Sequence, residues 1–389
     1  MRLLIYHNIL WPKHIGAVFS SLYSLGSKRG ISVRIVHLAE TEVMRADLST
    51  VDRSYHVYPY RVLFLGSYEA VGTARMAFAL AKDILTHPSD VVILPGYERA
   101  EYWVLLALCV LLRRTRLVFV DSTALDRPKT AWKELAKKLF FARCDGFLCY
   151  GSRSRSYVAG YGVSADKTFG GCQATALAHG YDATDIQRAY DEAGSNWIHG
   201  SRFVFIGRLA TEKGLYDLVK AFKAVYDQNP LARLDLIGAG SLRDALVLQI
   251  ARLGLSDAVT LCGTRDISEF ASIFARSVAL VLPSYSEPWG LVVNEALSYG
   301  CPVVVSDRCG CVPELVIDGV SGFVFEAGNV AALSAAMSAA TRLSEDRPAT
   351  VRRCLELMAR FTPDSAGENI LQGCMTTMDG SSSALTLRG

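Results

Sequence analysis

Short runs of apolar and β-branched residues recur along this chain, each followed by a longer stretch whose apolar positions return every three or four residues. In the first half, Leu3–Tyr6, Val33–Leu38, Val91–Leu94, Leu117–Val120 and Gly146–Tyr150 predict strands, with helices at Gly16–Ser27, Glu101–Arg113 and Ala131–Ala142. A brief, nearly unbroken apolar run suits a strand buried on both faces, and the 3.6-residue period between runs supplies crossover helices. The alternation predicts a doubly wound parallel sheet. A second series begins at Phe203–Ile206 and continues through Leu234–Ile237, Val259–Leu261, Val278–Leu282 and Pro302–Ser306. The polar stretch Thr184–Gly200, with Gly194, Ser195 and Asn196, separates the two series and is expected to be a linker. The tail Gly380–Leu385 is expected to fray.

A chain of 389 residues exceeds one ordinary core, so the α/β pattern implies two Rossmann-like domains, residues 1–187 and 200–362. Hydrophobic residues make up 51% and charged residues 20%, enough apolar surface for both cores. The start, MRLLIYHNILWPKH, is broken by His7, Asn8, Pro12 and Lys13 and reads as a first strand rather than a signal peptide. The longest apolar run, Trp103 to Leu112, is about half of the roughly 20 residues that cross a bilayer. Ten scattered cysteines without a CxxC pair are expected to be reduced thiols in a cytoplasm, Cys309 and Cys311 being the one close pair.

Net charge is only +3 but uneven: residues 1–187 carry 23 Lys and Arg against 16 Asp and Glu, the remainder 18 against 22. The basic half fits an anionic partner or a solvated surface. On Ala131–Ala142, Lys133, Lys137 and Lys138 flank Trp132, Leu135, Leu139 and Phe140, with Arg113, Arg114 and Arg116 nearby in sequence. Such a face suits an anionic membrane or a core-facing stripe with solvated lysines. No nucleic-acid partner is expected.

Chemistry concentrates in the second half. The strand Phe203–Ile206 runs into Gly207-Arg208-Leu209-Ala210-Thr211-Glu212-Lys213-Gly214, where Arg208 and Lys213 are placed to clamp an anion at the carboxyl end of a parallel strand. The glycine spacing excludes a P-loop, and Gly238-Ala239-Gly240 lacks the third glycine of a dinucleotide fingerprint. After Val278–Leu282 comes PSYSEPWGLVVNEALSYGCP, helical from Gly290 until Gly300 and Pro302 stop it. The amides of Gly290, Leu291 and Val292 then lie at a helix N-terminus, which favours a diphosphate. Glu287 precedes that helix and Glu295 lies more than a turn inside it, suited to sugar hydroxyls and a ribose diol. Spacing alone also leaves open a capping Glu287 and a surface Glu295.

Residues 203–327 resemble the C-terminal domain of the family 4 glycosyltransferases, enzymes of the GT-B fold. The resemblance rests on Gly207-Arg208-Leu209 with Glu212-Lys213-Gly214, on Ile237-Gly238-Ala239-Gly240-Ser241-Leu242-Arg243, on Glu287-x7-Glu295, and on Val312-Pro313-Glu314-Leu315-Val316 with Asp318-Gly319 and Gly322-Phe323. It implies two Rossmann-like domains facing across a cleft, with the helices of 363–389 returning to the N-terminal domain. It implies that Arg208 and Lys213 bind the donor diphosphate, Glu295 the ribose and Glu287 the transferred sugar. Backbone amides of the turn Trp289-Gly290-Leu291-Val292 contact the donor, and Arg265, within Cys262–Asp266, borders the base.

The N-terminal half matches less closely. Trp11-Pro12-Lys13-His14-Ile15-Gly16-Ala17 is similar to the glycine-rich loop after the first strand, Gly16 matching its first glycine and Ala17 replacing the second. Where many members place a histidine near the reacting sugar, this chain has Asp121 after Leu117–Val120, so His14 and Asp121 both remain candidates for that contact. The implied activity is retaining transfer of a hexose-type sugar from a nucleoside-diphosphate donor to an acceptor hydroxyl. No metal or other cofactor is expected, in keeping with the absence of an Asp-x-Asp triplet from the chain. The acceptor is expected to be a saccharide or lipid-linked sugar of a surface polysaccharide or glycolipid, the enzyme being cytoplasmic and peripheral at the membrane's inner face. The alternatives are a transferase acting on small molecules or protein, a phosphorylase, for which no pyridoxal-phosphate lysine motif is seen, and a non-catalytic nucleotide-binding subunit of the same fold.

Overall fold

The structure, a computed structural model, describes residues 1–43, 50–125, 130–193 and 201–386. The chain forms two units, Met1–Ala176 with Thr362–Gly389, and Leu177–Phe361.

The first unit holds seven parallel strands: β1 (Arg2–Ile9), β2 (Ser32–Thr41), β3 (Tyr60–Ser67), β4 (Val91–Leu94), β5 (Thr115–Val120), β6 (Gly146–Cys149) and β7 (Thr168–Phe169). Their order is β3-β2-β1-β4-β5-β6-β7, so the winding reverses between β1 and β4. The helices are α1 (Lys13–Lys28), α2 (Thr73–Thr86), α3 (Ala100–Leu111), α4 (Ala131–Phe141) and α5 (Ser152–Ala159). Both faces of the sheet are covered, because β1, β4 and β6 send buried side chains to each side. One core layer gathers Leu4, Tyr6, Val92, Val118 and Phe147, the other Leu3, Ile5, Ile93, Leu117 and Leu148.

The second unit opens with α6 (Ala183–Ala193) and has six parallel strands: β8 (Arg202–Ile206), β9 (Arg233–Ile237), β10 (Val259–Gly263), β11 (Ala279–Leu282), β12 (Val303–Ser306) and β13 (Gly322–Phe325), in the order β10-β9-β8-β11-β12-β13. Its other helices are α7 (Leu215–Gln228), α8 (Arg243–Arg252), α9 (Phe270–Ala275), α10 (Leu291–Ser298), α11 (Val312–Leu315), α12 (Val330–Leu343) and α13 (Arg347–Met358). Here the winding reverses between β8 and β11, and the loops leaving those strands flank the switch point where such sheets bind ligands.

Two expectations change. Of the polar stretch 184–200, residues 184–193 are not a linker but part of α6; Gly194, Ser195, Asn196 and the rest of 194–200 lie outside the described residues. The helix carries one apolar edge, and Tyr190 on that edge is buried beneath the guanidinium of Arg347 at the start of α13. That docking puts α6 in the second unit, so the division falls at Ala176/Leu177 rather than at 187. Nor does the tail part from the helix before it: α14 (Pro363–Thr386) is continuous through 380–385. It lies along α1, with Ser21 donating to Asp364 at 2.5 Å and Arg29 paired with Glu368 at 2.7 Å. Ala366, Ile370, Leu371 and Cys374 of α14 enter the first unit's core.

Candidate functional site in the second unit

The loop after β8 turns at Gly214, whose left-handed φ of 67° is inaccessible at low cost to other residues. A Cβ there would sit 2.1 Å from the carbonyl oxygen of Pro283. The β8 and β11 loops therefore touch backbone to backbone, which only glycine permits. Between Ala210 and Gly214, a 3-10 turn over Thr211–Lys213 aims Lys213 toward the β11 loop. Its ammonium donates to Oε2 of Glu287, and both side chains are mostly shielded. Arg208, by contrast, is half exposed and pairs with Glu212 at 2.8 Å. The β9 loop closes the base of the site, Leu242 donating its amide to Leu209 at 3.0 Å.

Gly290 caps α10 with φ 98°, and the first bond it accepts inside the helix comes from the amide of Val293 at 2.9 Å. The amides of Gly290, Leu291 and Val292 precede any carbonyl a turn back, so they leave the helix end with its partial positive charge. Glu295 is half-buried in the next turn. Beneath Glu287, the segment 309–311 packs against the same loop: Gly310 donates to the carbonyl of Glu287 at 2.9 Å and Cys311 to that of Trp289 at 3.1 Å. The site thus joins a shielded ammonium–carboxylate pair, a second cation, a helix N-terminus and a further carboxylate, a set matched to an anion bearing hydroxyl groups.

Other expected site residues lie elsewhere or in a different setting. The Trp289 side chain does not face a ligand: it is buried and its indole N–H donates to Asn294 at 2.8 Å, leaving only its backbone in the turn. Arg265 follows β10, three places from β11 in the sheet, and lies 3.9 Å from Glu269. Gly16 is not in a loop, because α1 begins at Lys13 and places it in the first helical turn. A Cβ on it would come within 2.9 Å of His56 Nε2, so this glycine serves close packing. His14 is half-buried in the same turn, and Asp121 is exposed just past β5; both belong to the first unit. Sequence reading passed over Asp217, Tyr285 and Gly310; an aromatic between Pro283 and Glu287 was the available signal for Tyr285.

The cysteines are free, and all but Cys262 are buried, Cys309 and Cys311 among them. Among the described residues, no group of three His, Cys, Asp or Glu side chains is arranged to hold a metal ion, and no helix is long and apolar enough to cross a membrane.

The profile of the family described as Glycosyl transferases group 1 matches residues 199–353, which contain this entire constellation. A glycogen synthase of Mycobacterium tuberculosis is 33% identical over 164 residues, 42% of this chain and 39% of that enzyme. A poly(glycerol-phosphate) alpha-glucosyltransferase of Bacillus subtilis is 37% identical over 134 residues, 34% of this chain and 20% of that enzyme. The matched stretch thus spans well under half the length of these relatives. The structure of Anabaena HepE in complex with UDP superposes with a TM-score of 0.71 at 18% identity, covering 96% of this chain and 99% of that one, and so bears on the fold. Residues 199–353 are therefore similar to the glycosyl transferases group 1 family, and the chain that carries them has the GT-B fold.

Proposed function

We propose that this chain is a retaining, metal-independent glycosyltransferase that moves a hexose from a nucleoside-diphosphate sugar to an acceptor hydroxyl. The observation that carries the reading is the shielded Lys213–Glu287 pair lying beside the N-terminus of α10. Lys213 and the amides of 290–292 face the diphosphate, Arg208 joins them from the loop edge, Glu295 takes the ribose diol and Glu287 the hydroxyls of the transferred sugar. As the bond between the anomeric carbon and the phosphate oxygen breaks, negative charge grows on the leaving nucleoside diphosphate. Fixed cations and amide dipoles stabilise it there without reorganising. The acceptor oxygen bonds to the anomeric carbon from the same face, and its proton passes to the departing phosphate oxygen. Glu287 orients the sugar and makes no covalent bond. The Anabaena protein has been crystallised with UDP-glucose, which supports a nucleotide sugar as the donor class.

The acceptor is proposed to be a lipid-linked or membrane-presented saccharide. Trp132, Leu135 and Leu139 of α4 are 67%, 60% and 54% exposed, beside exposed Lys133 and Lys138. The test is thermal stabilisation by UDP-, GDP-, ADP- and TDP-sugars, followed by turnover with the donor selected. A ligand that binds only the native state raises its stability by RT ln(1 + [L]/Kd), so one member should raise Tm in a concentration-dependent way. Stabilisation by none of them overturns the reading.

A further inference from the structure

Lys213 and Glu287 are joined by two flexible side chains, so their pairing depends on how the loops that carry them are fixed. We propose that Tyr285 and Asp217 form a positioning pair that locks the Glu287 loop against the Arg208–Lys213 loop. The inference rests on the donor-site reading above and deepens it.

Asp217 lies in the first turn of α7, a helix seated in the core through Leu215, Leu218 and Val219. It is therefore a fixed point at the root of the cationic loop. Tyr285 lies two residues before Glu287 in a stretch outside any helix or strand, and its ring is 40% exposed. An exposed tyrosine ordinarily leaves its hydroxyl to water. Here the hydroxyl donates to Asp217 Oδ2 at 2.5 Å, and the amide of the same residue donates to the carbonyl of Glu212 at 2.8 Å. Lys220 lies 3.8 Å from the other oxygen of Asp217. A hydrogen bond to an ionised acceptor is shorter and stronger than a neutral one. Asp217 also holds the Tyr285 phenol up at about 12, so the hydroxyl keeps its proton to donate at neutral pH.

With the contact of Gly214 on Pro283, two successive odd-numbered residues of the Glu287 loop are fastened to the 212–217 segment. The third, Glu287 itself, then meets Lys213. The far side of Glu287 rests on Gly310. Cutting the Tyr285–Asp217 bond loosens the near side alone, leaving only the backbone contacts to Glu212 and Gly214, so Glu287 should lose register while Lys213, rooted in β8 and α7, stays in place. The cost should fall on handling of the sugar rather than of the free nucleotide.

The experiment uses the full chain with Tyr285→Phe, Asp217→Ala, Asp217→Asn and the Tyr285→Phe/Asp217→Ala double variant, and the donor selected from the UDP-, GDP-, ADP- and TDP-glucose panel. Turnover is measured beside the Kd of the matching nucleoside diphosphate. Each of Tyr285→Phe and Asp217→Ala should lower kcat about three- to tenfold, the weight of one hydrogen bond, with nucleotide Kd moving less than about twofold. The double variant should be no worse than either single, since the partners act together. Asp217→Asn keeps an acceptor oxygen and should retain most of the activity. Equal losses in kcat and nucleotide affinity, multiplying losses in the double variant, or wild-type turnover in both single variants overturns the pair while the donor reading stands. A wild type that binds no member of the panel overturns the donor reading and the pair with it.

Discussion

Lys213 and Glu287, 74 residues apart in the chain, meet as an ammonium–carboxylate pair sheltered from most solvent. Sequence pattern assigns them to opposite ends of a donor, one to the diphosphate and one to the sugar, yet the fold makes them a unit. Removing either partner of a shielded pair leaves the other charge uncompensated, which costs more than the pair itself contributes.

Lys213→Ala should therefore weaken binding of the nucleoside diphosphate by about 1.5–3 kcal/mol, the loss of one hydrogen bond to a charged group. Adding Glu287→Gln to Lys213→Ala should recover stability, because the orphaned carboxylate disappears. Arg208→Ala should cost less affinity, since Arg208 is half exposed and already engaged by Glu212. Calorimetry beside thermal denaturation checks all three, and wild-type nucleotide affinity in Lys213→Ala would remove the residue from the site.

The two carboxylates should separate by ligand. Glu295→Ala should weaken both the free nucleoside diphosphate and the sugar nucleotide, because the ribose is common to both. Glu287→Ala should affect mainly the sugar nucleotide. Equal losses of free-nucleotide affinity in the two variants would show the roles to be misassigned.

Much of this site was legible because its residues sit at strand ends, where apolar runs stop abruptly at glycine or proline. Gly207 and Pro283 mark such breaks and Gly290 the start of α10, and the charged residues near them are the chemistry. The Trp289 side chain was not legible, because its partner Asn294 is five residues on and buried, a pairing no pattern announces. At Gly16 the expected loop is a helical turn, and the residue its smallness accommodates, His56, is forty positions away in sequence. The helix α6 was hidden because its polar face dominates its composition and only its contact with α13 reveals the buried edge. At the sheet margin, β3 escaped notice because its residues are at best partly buried, with Leu65 80% exposed and no alternation to read.

Turnover should survive excess EDTA, because Arg208, Lys213 and the amide dipoles of α10 supply the charge that a divalent ion would otherwise bring to the leaving diphosphate. Loss of activity with chelator and its return with manganese would contradict this.

Acid should loosen the first unit before it reaches the carboxylates. His37 and His56 are buried with ring centroids 5.9 Å apart, His7 lies 5.7 Å from His37, and the Tyr58 hydroxyl bridges His37 Nε2 at 3.0 Å and His56 Nδ1 at 2.8 Å. Desolvation holds His37 well below the ordinary histidine value, and burial lowers His56 from 6.5 to about 4 despite the opposing pull of Asp52. Between these values the unfolded chain takes up protons that the native state refuses, so stability is fully present above about pH 6.5 and falls as pH drops toward 4. The His56 contribution is on the order of 3 kcal/mol. Urea denaturation at stepped pH should show that slope, and His56→Asn should flatten it; an unchanged slope in the variant would exclude His56.

Attachment to an anionic surface is the last expectation, and the structure changes which residues should carry it. Lys137 is engaged, donating to Glu134 at 3.2 Å and to Tyr157 at 2.8 Å, so it offers little to a membrane. Lys133 and Lys138 are exposed, with Lys133 lying over the ring of Trp132, and the Trp132, Leu135 and Leu139 side chains face solvent rather than the core expected of an apolar stripe. Each basic residue near an anionic leaflet contributes about 1 kcal/mol, so two of them need the apolar anchor to give measurable binding. Co-sedimentation should therefore be reversible, favour anionic over neutral vesicles, weaken at high salt, and fall both in Lys133→Glu/Lys138→Glu and in Trp132→Ala. The Lys137→Glu variant should lose stability instead, because it replaces the cation between Glu134 and Tyr157 with a second carboxylate. If the double glutamate variant sediments like wild type, or wild type ignores anionic vesicles, α4 is an ordinary solvated helix and a soluble acceptor is the better reading.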